Sequence, residues 1–327
     1  MTVAGGPGAR QAGLVNGWRQ WIGGLAGMGL LLGAAGAEER RFSFEQPLMG
    51  TRFAIICHGT DEAAAEKAAQ EAFAEGGKIN AVASDYLPDS ELMRLPAGGS
   101  AVKLSPLFAE LVSAALGTAE RSGGSFDPTL GPLSRLWRES RRTETLPSGE
   151  AREAAREACG WRDVEFDRPT RRLRLKKPGM QLDLGGIAKG FAADRMFEVM
   201  KKHGLSRTCI AAGGDLRLGD PPPGKAGWRV GLKTFDAATP EEVVELSNCA
   251  VSTSGDLHQF VEIGGKRYSH IVDPRTGLGL TERVAVSVIA PTATLSDALA
   301  TACCVTGAAG AEELGLKCGA TRVIVRK

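Results

Sequence analysis

Asp297 and Thr301 stand four residues apart in Leu295-Ser296-Asp297-Ala298-Leu299-Ala300-Thr301, inside a stretch from Thr294 to Val305 that reads as a helix. Residues four apart on a helix face the same way, so a carboxylate and a hydroxyl meet on one side. Oxygens of that kind suit Mg²⁺. The same two residues have ordinary helical work as well. An acid near a helix N-terminus answers its positive end, and a Thr bonds back to a carbonyl one turn earlier. Taken alone, the pair leaves both roles open.

A second chemical stretch runs Leu182-Asp183-Leu184-Gly185-Gly186-Ile187-Ala188-Lys189-Gly190-Phe191 and on to Arg195. It starts extended, turns on the Gly pair and continues as a helix with Ile187, Phe191, Met196 and Met200 on one apolar side. Asp183 therefore lies just ahead of a helix N-terminus. Free N–H groups there receive phosphate oxygens, and a turn carbonyl can meet a metal ion. A plain helix cap is the competing role for Asp183. A third stretch, His270-Ile271-Val272-Asp273-Pro274-Arg275-Thr276-Gly277, is a strand entering a polar turn. Its imidazole is a general acid/base candidate, since an unperturbed His titrates near pH ~6.5, and a structural histidine is the alternative.

The elements that must position these groups alternate between strands and helices, which points to an α/β fold. Phe42 to Cys57 reads as a strand interrupted at Pro47-Leu48-Met49-Gly50-Thr51, and Asp61 to Ala83 as an Ala-rich helix with Asp61 as its N-cap. Ser105 to Ser122 is a second helix, stopped by Gly123-Gly124, and Glu150 to Cys159 a short third. Val164 to Phe166 with Arg171 to Leu175 form a hairpin whose basic residues are a solvated face. Strands are further expected at Cys209 to Ala212, Trp228 to Leu232, Ala250 to Thr253, Gln259 to Ile263, Arg267 to Val272 and Val284 to Ala290. Gly219-Asp220-Pro221-Pro222-Pro223-Gly224-Lys225-Ala226 nearly matches a P-loop. Three prolines supply no N–H groups there, and Ala226 replaces the Mg²⁺-binding hydroxyl, so that role is excluded.

Composition narrows the function classes. Lys plus Arg number 40 against 38 Asp plus Glu, which leaves no nucleic-acid footprint. The first 37 residues carry Arg10 and Arg19, an apolar run from Trp21 to Leu32 and the ending Ala35-Gly36-Ala37. That pattern fits a secretory signal peptide better than a spanning helix, with the mature chain, 38–327, in the periplasm or its equivalent. An uncleaved segment associated with the inner membrane is the alternative. Seven cysteines without CxxC spacing give no zinc site and no readable disulfide pattern.

Eight motifs occur in one order: Met49-Gly50-Thr51, Ser90-Glu91-Leu92, Gly124-Ser125-Phe126-Asp127-Pro128-Thr129, Asp183 to Gly190, Gly213-Gly214-Asp215, Thr253-Ser254-Gly255-Asp256, His270 to Gly277 and Ser296 to Thr301. From about Phe42 onward the chain resembles the ApbE family of FAD:protein FMN transferases. The resemblance implies mixed sheets with packed helices in two intimately joined lobes, around a cleft for FAD. It implies a Mg²⁺-dependent enzyme that splits FAD and attaches the FMN half to a Thr or Ser of an exported or membrane flavoprotein. Some members instead hydrolyse FAD to FMN and AMP. A flavin carrier without turnover is a further alternative, disfavoured by the carboxylate–hydroxyl pair.

By resemblance, Gly186 joins Asp297 and Thr301 as metal ligands, and His270 with Asp297 serves catalysis. Met49, Tyr86, Gly124, Ser125, Phe126, Asp183, Lys189, His270, Asp273 and Thr276 are expected around FAD. Two positions depart from the common pattern. Asp215 follows Gly214 where many relatives have Asn, and Ser125 stands where many have Ala.

Overall fold

The computed structural model describes residues 38–232, 242–255 and 260–327. The expected export segment, Asp256 of the Thr253–Asp256 motif, and Gln259 at the start of an expected strand lie outside the described residues.

The interrupted strand expected over 42–57 is a hairpin of Arg40–Leu48 and Thr51–Gly59, in which Leu48 pairs with Thr51. Its two-residue turn puts both Met49 and Gly50 at positive φ, 51° and 71°. A turn of that hand follows the right-handed twist of its strands. Helix α1 (Glu62–Ala83) follows, and Asp61 caps it by accepting from the backbone N–H of Ala63 at 2.9 Å and of Ala64 at 3.2 Å. Helix α2 (Pro106–Arg121) is capped by Ser105. Then come α3 (Gly131–Thr143), α4 (Gly149–Glu157), α5 (Ala188–Lys202), α6 (Ala293–Thr306) and α7 (Ala311–Lys317).

A seven-stranded sheet organises the chain. Its order is Arg40–Leu48, Thr51–Gly59, Thr208–Ala212, Asp215–Leu218, Cys249–Gly255, Ala285–Ala290, Arg322–Arg326, every neighbour antiparallel. Side chains alternate between its faces. Phe53, Ile55, Ile210 and Ala212 point into the main core with Ile79 of α1 and Met196 and Met200 of α5. Cys209, Leu218, Val251, Ile289 and Ile324 face the other way, against Trp228, Val230, Leu232 and Val244 of the Trp228–Leu232/Glu242–Leu246 hairpin. Helices α1, α5 and α6 pack side by side on the first face. Buried Ala65, Ala68, Ala69 and Ala72 keep α1 close to the sheet.

A smaller cluster of Leu133, Trp137, Cys159, Val261, Tyr268 and Val272 joins α3 to the Phe260–Ile263/Lys266–Ser269 hairpin and the Val272–Asp273/Leu278–Gly279 pair. Residues Glu38–Lys327 group as one unit, and the α/β class expected from the sequence is the class observed. None of the seven cysteines is in a disulfide; six are buried and Cys249 is half-buried. Among the described residues no helix is long and apolar enough to cross a membrane.

Candidate active site

Helix α5 starts at Ala188, directly after the Gly185-Gly186 turn, and its second residue aims at α6. The Lys189 ammonium lies 3.1 Å from Asp215 Oδ2 and 3.4 Å from each carboxylate oxygen of Asp297. Asp297 Oδ2 also accepts from the Gly190 backbone N–H at 2.9 Å. Glycine at 190 is required by packing. A Cβ there would stand 2.1 Å from the Ala293 carbonyl oxygen and 2.8 Å from Asp297 Cβ, so α5 and α6 meet backbone to backbone.

Both carboxylates are buried, Asp297 at 2% exposure and Asp215 at 4%. Burial, reinforced by the neighbouring Asp215 charge, pushes Asp297 up to about 6 against the pull of Lys189. Burial disfavours the charge on Lys189 too, but the two carboxylates outweigh it and hold its pKa above the ordinary lysine range. The ammonium of Lys189, a residue expected around FAD from the sequence, sits between these two acids.

The Gly186 turn lies against Thr301. A Cβ at Gly186 would be 3.1 Å from Thr301 Oγ1 and 3.3 Å from the Phe126 ring. Ser254 Oγ lies 3.4 Å from Thr301 Oγ1, and Thr306 Oγ1 donates to Ser125 Oγ at 3.2 Å. Gly186, Asp297, Thr301, Lys189 and the Ser125-Phe126 pair thus come together where α5 and α6 meet. Gly124 sits at φ 89° beside Trp161, whose indole Nε1 is buried without a hydrogen-bond partner among the described residues.

Asp183 is held from three sides. Its Oδ2 accepts from Ser134 Oγ at 2.5 Å, its Oδ1 from the Gly185 N–H at 2.8 Å, and its own N–H donates to the Pro128 carbonyl at 2.8 Å. One turn after Ser134, Arg138 pairs with Asp85 and lies 4.4 Å over the ring of Tyr86, which is 73% exposed. Burial and then the Asp183 charge raise the Asp85 pKa. Met49 packs against the main core, and Thr51, just after its turn, lies against Gly213, where a Cβ would stand 2.9 Å from Thr51 Oγ1.

His270 is exposed just after the Lys266–Ser269 strand. Beyond it, Asp273 accepts from Arg275 Nε at 2.9 Å and Nη2 at 2.8 Å, while Arg275 Nη2 also donates to the Val305 carbonyl at 3.1 Å. The turn therefore docks on the C-terminal end of α6. Thr276 Oγ1 accepts from the Leu278 N–H at 3.3 Å, and the Gly277 carbonyl from Trp137 Nε1 at 2.8 Å.

Several residues of this region carry no local sequence signal. Ser134 and Arg138 ride on α3, a charged helix that periodicity does not reveal; Pro132 in its first turn is the one start signal available. Asp85 and Asp194 are ordinary acids until their partners are known. Asp194 accepts from the N–H groups of Ala293 and Thr294 at 2.9 and 2.8 Å, capping α6 from α5, and pairs with Arg217 at 3.1 Å. An open cavity of about 820 Å³ lies elsewhere, between α2, Phe166 to Arg171 and the start of α6, and none of the expected site residues lines it.

The ApbE family model matches residues 49–322. The chain belongs to the ApbE family. Among ApbE relatives, a protein named FAD:protein FMN transferase from Treponema pallidum is 34% identical over 302 residues, covering 86% of this chain and 83% of its own. One of the same name from Klebsiella pneumoniae is 32% identical, covering 81% and 79%. The crystal structure of apo Pseudomonas stutzeri flavinyl transferase ApbE superposes with a TM-score of 0.76 at 32% identity, over 85% of this chain and 88% of that one. The Thermotoga maritima ApbE protein gives 0.79 at 30% identity, over 88% and 94%.

Proposed function

We propose that this ApbE enzyme transfers the FMN half of FAD to a Thr or Ser hydroxyl of an exported or membrane flavoprotein, with Mg²⁺, releasing AMP. Family membership and the names of its relatives support flavin transfer. The observation in this chain that carries the finer reading is the convergence of Gly186, Asp297 and Thr301.

The donor set fits Mg²⁺ by its chemistry: a carboxylate, a hydroxyl and a turn carbonyl are all hard oxygens. Among the described residues no group of three or more His, Cys, Asp or Glu is arranged to hold a metal, so an ion here would combine the Asp297 carboxylate with neutral oxygens and the substrate itself. An ion held by these oxygens would supply positive charge to the pyrophosphate. Asp297 supplies the charged donor, with Thr301 and the Gly186 carbonyl beside it. Lys189 adds a positive charge next to the same point. Asp183, Tyr86, Met49 and the Gly124-Ser125-Phe126 segment surround the nucleotide in this reading. His270 takes the proton from the acceptor hydroxyl, and Asp273 with Thr276 shape the turn that carries it.

The donor must be FAD, since AMP is the leaving group and free FMN has none. Incubation of the enzyme and Mg²⁺ with an acceptor flavoprotein and either flavin tests this. FAD is expected to yield a protein carrying one phosphoester-linked FMN, heavier by FMN less one water, and an equal amount of AMP. Labelling from FMN would contradict the chemistry, AMP without labelling would assign FAD hydrolysis, and neither product would leave a flavin carrier. For export, the mature N-terminus is expected near Glu38 in the periplasmic fraction; a full-length cytoplasmic product overturns that part.

A further inference from the structure

Half-buried Lys189 and the buried Asp215 and Asp297 form a group with two acids and one base. Its geometry is lopsided: the ammonium is closer to Asp215, at 3.1 Å, than to either oxygen of Asp297, at 3.4 Å. Arg217, two residues beyond Asp215, does not balance the group. It is committed to Asp194 at 3.1 Å and to the carbonyls of Leu218 and Cys249 at 2.7 and 3.1 Å. One negative charge is therefore in excess where both carboxylates are almost fully covered, and burying such an excess is costly unless a cation joins it. Asp297 itself cannot turn toward a new partner freely, because the Gly190 N–H fixes one of its oxygens.

A divalent cation on Asp297 must displace the ammonium that now lies against it or tolerate a like charge at close range. We propose that Asp215 is a positioning residue for the cation site: its carboxylate keeps the Lys189 ammonium when a divalent cation takes Asp297. The lysine stem is flexible enough to complete that small transfer while leaving the ammonium beside the bound ion. Asp215 opens the Asp215–Leu218 strand straight after Gly213-Gly214, so a sheet strand, not a loop, fixes its carboxylate. The inference rests on Asp297 being a Mg²⁺ ligand.

Mn²⁺, which accepts the same oxygen donors, allows the test without turnover. Free Mn²⁺ is counted by its EPR signal in titrations of the flavin-free protein, for wild type, Asp215→Asn, Lys189→Met and the double variant. Asp215→Asn is expected to weaken Mn²⁺ binding at least tenfold when Lys189 is present, because the ammonium then has only Asp297 to pair with. With Met at 189 the same change is expected to cost less than threefold. Equal losses in both backgrounds overturn the proposal, leaving Asp215 as a remote negative charge. The single variant gives a second readout. Asp215→Asn leaves one acid with one base, so the apo protein is expected to unfold at or above the wild-type temperature. A fall of several degrees marks a structural ion pair and also overturns the proposal. Absence of Mn²⁺ binding by wild type, or binding that survives Asp297→Ala, removes the cation site and this inference with it.

Discussion

In the proposed site Asp297 is the one charged donor among three Mg²⁺ ligands, and its loss would leave pyrophosphate charge uncompensated. Asp297→Ala is expected to cost at least about 3 kcal/mol of transition-state stabilisation, roughly a hundredfold in transfer rate. Thr301→Val removes a neutral oxygen with little change of shape and is expected to cost less; steady-state transfer assays with both variants check the order. Gly190→Ala tests packing instead. Its methyl would meet the Ala293 carbonyl, and overpacking of this kind is expected to destabilise by about 3 kcal/mol, measured by denaturant unfolding. What was legible at this scale was local. Asp297 and Thr301 share a helix face, and the Gly185-Gly186 turn announces itself by composition. Asp215 was visible only as a departure from a pattern, because its partner lies 26 positions earlier on another element. No spacing rule joins Arg138 to Asp85 either; they meet where α3 lies against the loop that follows α1.

At the scale of elements, the meeting of α5 with α6 depends on Asp194, which donates no proton but accepts two backbone N–H groups from the start of α6. Asp194→Ala removes that cap and leaves Arg217 without its acid. A loss of at least about 2 kcal/mol is expected, read as a lower midpoint in urea. The opening hairpin carries a pH dependence. His58, on the Thr51–Gly59 strand beside Trp228, has its pKa lowered by burial and by Arg41 and Arg207. A histidine held below its unfolded value of about 6.5 contributes full stability above that pH and loses it as pH falls through 6.5 toward the folded value. Stability is therefore expected to decline on acidification through pH ~6, and His58→Gln to flatten that decline in thermal melts. Most elements were readable from period and punctuation, among them α1, α2, α4, α5 and α6. The first hairpin read as a broken strand because Met49 is no usual turn residue, and α3 was missed because its buried side is narrow: Leu133, Trp137 and Ser140 amid charges.

For the molecule as a whole, binding of substrate and metal adds to stability by mass action. At a hundredfold excess over its Kd, a ligand specific for the folded state contributes about 2.7 kcal/mol. FAD with Mg²⁺ is expected to raise the unfolding temperature of wild type well beyond that of Asp297→Ala, by differential scanning fluorimetry; equal shifts would take Asp297 out of the binding site. The cysteines, none in a disulfide, have a separate consequence for how the molecule opens. Burial pushes Cys57 up to about 11 and Cys159, Cys209 and Cys303 up to about 12, so the reactive thiolate is scarce and shielded while the native packing lasts. They stand in different layers: Cys57 under the helices, Cys209 on the reverse face of the sheet, Cys159 beside α3 and Cys303 within α6. A brief maleimide pulse should tag Cys249 alone in the resting protein. In rising urea, the order in which the others gain a tag, read by peptide mapping, would chart which layer yields first, with no label engineered into the chain.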